Sequence, residues 1–312
     1  MKRLSARGAA AAAAAKGVMM LLLAAASLVG CGGAPPSQGS PQPAETATGT
    51  RTPTAPPQSS PTPTVYVSPT PAPTLPPPAW KLIAPGISRV YLPVPTPGTS
   101  EPSYFYALRI DPNRVTFKVI YDPKLPHKVD EWSGITKAAI VFNAGFFTGG
   151  NAPNGRIISD GTLYGSTPDY GSDSLGVRGL FAVTGQRVDI FTLGRDNFNP
   201  QGLRFDQAVE AYPMLVLPGG QPTFPEDTHK RARRTVIGLD QDNQVIVVIS
   251  DIPLYSLYEL AEWAAGSNLG LDSALNLDGG RSTGIEVSLP NEQKLINSYV
   301  PVPIVITVNP AS

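Results

Sequence analysis

From residue 115 onward the chain alternates short apolar runs with clusters of Gly, Pro, Asn and Asp. Val115, Phe117, Val119 and Tyr121 alternate with polar or smaller neighbours, the two-residue period of a half-buried strand. Residues 138–142, 180–183, 235–239 and 245–249 are compact apolar runs, and 284–289 and 304–308 read as further strands. One helical period stands out. Ser256 and Glu259 have the spacing of a capping box, Leu257, Leu260, Ala261 and Ala264 then share a face, and Gly266 closes the segment. A shorter helix is predicted near 205–210. No internal repeat is visible. The pattern predicts an α+β class: a mixed, mostly antiparallel β-sheet core with a few packed helices.

The first 79 residues follow different rules. Lys2, Arg3, Arg7 and Lys16 precede an apolar stretch at 18–26 that is too short to span a bilayer, which reads as a signal peptide over 1–30. Cys31 follows Leu28-Val29-Gly30 and resembles the lipobox cysteine of bacterial lipoproteins, which implies lipidation at Cys31 and a membrane anchor there. It is the single cysteine of the chain, so neither an intramolecular disulfide nor a cysteine metal cluster can form. Residues 31–79 are a Pro/Thr-rich linker whose only charges are Glu45 and Arg51, a composition that cannot bury enough surface to offset its ordering entropy. Composition changes at Trp80, and 80–312 is long enough for one domain with a real core. The whole chain has 24 basic and 24 acidic side chains, and loss of the four leader cations leaves it mildly acidic. Such a balance argues against nucleic acid as a partner and confines anion recognition to a local site. The expected location is extracytoplasmic, at the cell envelope.

Three strand ends carry polar chemistry. Asn143-Ala144-Gly145-Phe146-Phe147 closes an apolar run, and Gly145 would let backbone approach a ligand, although a plain strand-end turn fits as well. Within the basic run from His229 to Arg234, Arg234 and Thr235 abut an apolar strand, which would hold a guanidinium fork ready for phosphate or carboxylate. Asn276-Leu277-Asp278-Gly279-Gly280-Arg281-Ser282-Thr283 reads either as a hairpin turn or as a carboxylate beside an anion-binding backbone nest.

These segments in this order, with Glu259-Leu-Ala-Glu262 between the last two and Gly155-Arg-Ile-Ile-Ser159-Asp160 and Gly179-Leu-Phe-Ala-Val183 earlier, resemble the phosphodiester glycosidase family from about residue 100 to the C-terminus. Arg281 stands where family members often carry a third Gly. The resemblance implies hydrolysis of the bond between a sugar anomeric carbon and a phosphodiester, with a carbohydrate phosphodiester as substrate. It implies Asp278 as the carboxylate facing the oxocarbenium-like carbon and Glu259 as its family-matched partner. The Glu259 position in a capping box is itself a sufficient structural reason for a Glu, and Asp160, Asp240 and Asp251 stay open as partners. Asn143, Gly145, Arg234, Thr235, Gly279, Gly280, Ser282 and Thr283 are the expected substrate contacts, with Arg234, the glycine amides and the two hydroxyls taking the phosphate. His229 is near enough in sequence to shuttle a proton; His127 has no assigned role. No cofactor is expected, and a divalent cation on Asp278 is left open because no ligand cluster of diagnostic spacing is visible. The alternatives are a non-catalytic glycopolymer-binding module and, more weakly, a serine hydrolase using Ser282, which lacks a nucleophile-elbow motif.

Overall fold

A computed structural model describes residues 76–166, 177–193, 204–223 and 227–311. The leader, Cys31 and nearly all of the linker lie outside the described residues.

Three sheets make up the domain. The first runs, edge to edge, through Lys81–Ala84, Ile87–Val94, Ser103–Ile110, Val245–Ser250, Thr235–Asp240, Leu271–Asn276, Met214–Leu217 and Gln221–Pro222. The second is Thr162–Tyr164, Ile157–Ser159, Gln207–Ala211, Arg178–Thr184 and Arg187–Leu193. The third is Glu292–Ile296, Ile285–Leu289, Ile140–Asn143, Ile304–Pro310 and Val115–Tyr121. Every strand pairing among the described residues is antiparallel, so the expected mixed sheet is in fact uniform in sense and the fold is predominantly β.

Side chains from all three sheets meet in one core, with Ile237, Val247 and Leu275 from the first, Phe181 and Val209 from the second, and Phe142 and Ile306 from the third. The other face of the first sheet is covered by the helix Leu257–Gly266, whose Leu260, Ala261 and Ala264 pack on Val236, Leu215 and Ala274. Burial on both faces explains why Thr235–Asp240 and Val245–Ser250 read as continuous apolar runs. Gly238 is fixed by the same crowding: a Cβ there would lie 2.7 Å from the Ser273 carbonyl oxygen.

Two helix expectations change. Residues 205–210 contain no helix; Gln207–Ala211 is a strand inside the second sheet, buried at all five positions, so no exposed face remains to show a period. A helix not foreseen occupies Val129–Thr136. It starts without a small polar cap residue. The carboxylate of Glu131 instead accepts from the Lys128 amide at 2.8 Å, and the Ser298 hydroxyl and Asn297 side chain accept from the next two amides.

Candidate active site

The polar segments flagged in the sequence converge where the ends of the first and third sheets meet. Leu277 donates its amide to the Thr235 carbonyl at 2.9 Å, and Asp278 donates its amide to the Ala144 carbonyl at 2.9 Å. The segment carrying Asp278 is therefore stitched to both sheets. Asn143 completes the stitching. Its Oδ1 accepts from the Thr235 hydroxyl at 2.7 Å and from the Gly284 amide at 3.0 Å, and its Nδ2 donates to the Asp278 carbonyl at 2.6 Å. Asn143 is 1% exposed and Thr235 is fully buried. Both were expected to touch substrate. The structure assigns them to holding the site together, because their polar atoms are already engaged inside the protein.

Asp278 sits partly buried at the edge of this frame. Oδ1 accepts the Gly279 amide at 2.8 Å, and the Ser282 hydroxyl donates to the same carboxylate. Burial outweighs these two hydrogen bonds and pushes the carboxyl up to about 6. No cation pairs with it among the described residues.

The anion nest expected from Gly279 and Gly280 is closed. The Gly279 amide is spent on Asp278 itself, and the Gly280 amide donates to the Arg233 carbonyl at 2.8 Å. Gly280 takes φ +61°, and a Cβ on Gly279 would stand 2.9 Å from the Arg233 carbonyl oxygen, so both glycines serve the tightness of the turn. Ser282 is buried and acts through Asp278, while the buried Thr283 hydroxyl has no hydrogen-bond partner among the described residues. Gly145 likewise permits packing: a Cβ would meet Ile157 at 3.0 Å and Val209 at 3.3 Å.

Arg234 supplies the positive charge. Its Nε donates to the Tyr255 carbonyl at 3.4 Å and one Nη to the Lys230 carbonyl at 3.0 Å, which fixes the plane of the fork. The other Nη lies 3.9 Å from where a Gly279 Cβ would sit, beside the Asp278 turn. No ion pair involves Arg234 among the described residues, and burial lowers its pKa. A guanidinium stays protonated regardless, so this is a desolvated cation without a counterion, a strong site for phosphate.

Glu259 is not in this cluster. Its carboxylate accepts the Ser256 amide at 2.8 Å, the Ser256 hydroxyl accepts the Glu259 amide at 3.2 Å, and Arg231 forms an ion pair with it. Arg231 holds the carboxyl below its usual range. The capping role is therefore sufficient. We expect Glu259→Ala to cost about 1 kcal/mol of stability, a melting shift of roughly 2–4 °C, and to leave kcat unchanged on the substrate class that the resemblance implies. A hundredfold fall in kcat with the fold intact would return Glu259 to the site.

The remaining carboxylates and histidines are engaged elsewhere. Asp160 accepts from Gln207 at a turn, Asp240 pairs with Arg109 at 2.7 Å, and Asp251 is 62% exposed near Arg233. His229 Nδ1 sits 2.9 Å from Asp227 on an exposed loop, and His127 stacks edge-on to Trp132. No group of three His, Cys, Asp or Glu able to hold a metal ion occurs among the described residues.

Three features escaped the sequence reading. Phe146 stacks on Tyr212 with centroids 4.3 Å apart, and Asn276 donates to the Tyr212 carbonyl at 2.9 Å, so this aromatic pair adjoins the Asp278 segment. Glu210, 1% exposed, binds Arg156 at 2.8 Å and Arg178 at 3.1 Å. Arg233, just ahead of the strand Thr235–Asp240, is buried, whereas Arg234 is only partly so.

A family model described as phosphodiester glycosidase matches residues 136–308. The fold is similar to the zebrafish N-acetylglucosamine-1-phosphodiester alpha-N-acetylglucosaminidase catalytic domain auto-inhibited by its pro-peptide, with TM-score 0.52 and 17% identity over 73% of this chain and 85% of that one. It is also similar to a hypothetical protein from Synechocystis, with TM-score 0.50 and 18% identity over 75% of this chain and 64% of that one. No curated protein sequence matches.

Proposed function

The chain belongs to the phosphodiester glycosidase family, glycosidases acting on phosphodiester bonds, and from that premise we propose that it is an extracytoplasmic lipoprotein hydrolase of sugar-1-phosphodiesters in glycans or cell-surface polymers. The observation that carries the reading is one turn, 278–280, flanked by a carboxylate raised to about 6 and by an arginine without a counterion among the described residues. The two charges do not neutralise one another, so each is available to a different part of a substrate.

In this reaction the bond between the anomeric carbon and the phosphate oxygen breaks, and its electron pair leaves with the phosphomonoester. Arg234 takes the charge of that leaving group. Asp278, as carboxylate, faces the oxocarbenium-like carbon and accepts the proton of the attacking water, whose oxygen joins the sugar. A phosphomonoester is a weak base, so the leaving group needs charge stabilisation more than protonation. One carboxylate then suffices, which fits the absence of Glu259 from the cluster.

The anchor belongs to the same reading. Leu28-Val29-Gly30-Cys31 supports lipidation at Cys31, with 31–79 as linker and 80–312 as the catalytic domain. The test is incubation of the full chain with an N-acetylglucosamine-1-phosphodiester. Equimolar reducing sugar and phosphomonoester are expected; saturable binding without product would leave a glycopolymer-binding module instead.

A further inference from the structure

Arg233 is 4% exposed, and its guanidinium is only partly satisfied. One Nη donates to the Asn297 carbonyl at 3.0 Å and lies 3.7 Å from the exposed Asp251 carboxylate. Nε and the other Nη are buried and have no hydrogen-bond partner among the described residues. Leaving charged donors unpaired in a desolvated place is costly, which points to a ligand. Over the guanidinium lies the ring of Tyr299, which is 60% exposed and has its centroid 4.2 Å away. The Tyr299 amide donates to the Arg281 carbonyl at 2.7 Å, and the Arg233 carbonyl receives the Gly280 amide, so this pair is tied at both ends to the Asp278 turn.

The surroundings extend the pattern away from the turn. Arg233 lies two residues ahead of Thr235, from which the register runs abreast through the buried Ile249 and Tyr106 to the exposed Tyr91. Tyr104, two residues before Tyr106, is 53% exposed. Lys294 stands 5.7 Å from the Tyr91 ring and Arg89 stands 4.9 Å from it. Exposed tyrosine rings, one of them flanked by two cations, suit a chain of sugars joined by anionic linkages.

We propose that Arg233 is a subsite for a second phosphate of a polymeric sugar phosphodiester, one linkage away from the bond being cut, and that Tyr299 is the cover displaced when that phosphate arrives. The proposal rests on the functional reading above but assigns a residue pair outside it. It makes the enzyme selective for a substrate with consecutive phosphates over one with an isolated phosphate.

The experiment compares kcat/KM of the full chain on a sugar phosphodiester with one phosphate and on an oligomer with two. The parent protein is expected to prefer the oligomer by roughly tenfold or more, and Arg233→Gln to bring the ratio close to unity. A parent ratio near unity, or a ratio unchanged in Arg233→Gln, overturns the proposal. Because Arg233→Gln touches the turn and can fail to fold, the surface variant Tyr299→Ala provides a second measurement, titration with inorganic phosphate by calorimetry. Uncovering Arg233 should add a second bound phosphate per chain to the one held at Arg234. An unchanged stoichiometry overturns the subsite. If the parent hydrolyses neither substrate, the functional reading fails, and the phosphate stoichiometry still decides whether Arg233 binds an anion.

Discussion

Asp278→Asn should lower kcat on a sugar-1-phosphodiester by on the order of 10²–10⁴-fold, leave KM nearly unchanged, and make the protein more stable at pH 8. The turnover effect follows because the carboxylate meets charge that exists chiefly in the transition state. The stability effect has the opposite sign and the same cause. Burial lifts the Asp278 carboxyl from 3.8 to about 6, so between those pH values the folded protein holds a proton that the unfolded chain has released. Stability therefore falls as pH rises through this window and stays lower above it. Asn cannot ionise, and its side-chain oxygen can still accept the Gly279 amide. The gain above pH 6 is about 3 kcal/mol at most, and below pH 4 it should vanish. Activity has the complementary profile: kcat/KM of the parent should rise through pH about 6 and level off as the carboxylate ionises. The checks are kinetics and melting curves of both proteins at pH 4 and pH 8. Near-normal turnover in the variant would move the chemistry to another carboxylate. Equal melting shifts at both pH values would contradict the desolvated-carboxylate account.

Arg234→Lys should reduce kcat/KM by a factor equivalent to about 2–5 kcal/mol, with KM raised and kcat lowered together. The charge is conserved in this change, so the loss isolates geometry. The Arg234 fork is held in plane by the Lys230 and Tyr255 carbonyls, and its remaining Nη stands beside the Gly279 backbone of the Asp278 turn. A lysine ammonium on a flexible stem has no such fixed plane and presents a point charge to a phosphate that a fork would grip. Folding should not suffer, since Arg234 has no carboxylate partner among the described residues to leave stranded and its burial is itself unfavourable. A melting temperature at or above that of the parent, with turnover depressed, is the expected combination. Full activity in Arg234→Lys would mean that the phosphate is bound elsewhere.

The strands were legible because their apolar runs are bounded by turn residues, and the helix Leu257–Gly266 because Ser256, the apolar face and Gly266 coincide. Asp278 and Arg234 were legible as polar groups set against apolar strands. What stayed hidden depends on partners far away in sequence. Nothing near Asn143 reveals that Thr235 and Gly284 will occupy its oxygen, or that Asp278 will take its amide, so a bracing residue looks like a ligand contact. The Gly279 and Gly280 amides look free in sequence and are used up by Asp278 and Arg233 in the fold. Gln207–Ala211 looks helical over a short window because both its faces are covered. Glu259 is the reverse case: its local capping signal was already a complete explanation, and the fold adds Arg231 to it.

The most direct measurement is hydrolysis of a sugar-1-phosphodiester in ¹⁸O-labelled water, with mass analysis of the released phosphomonoester. If Asp278 directs water to the anomeric carbon and Arg234 stabilises an intact leaving phosphate, the phosphomonoester carries no ¹⁸O and the label enters the sugar. Incorporation of ¹⁸O into the phosphomonoester would place the attack at phosphorus and contradict the account.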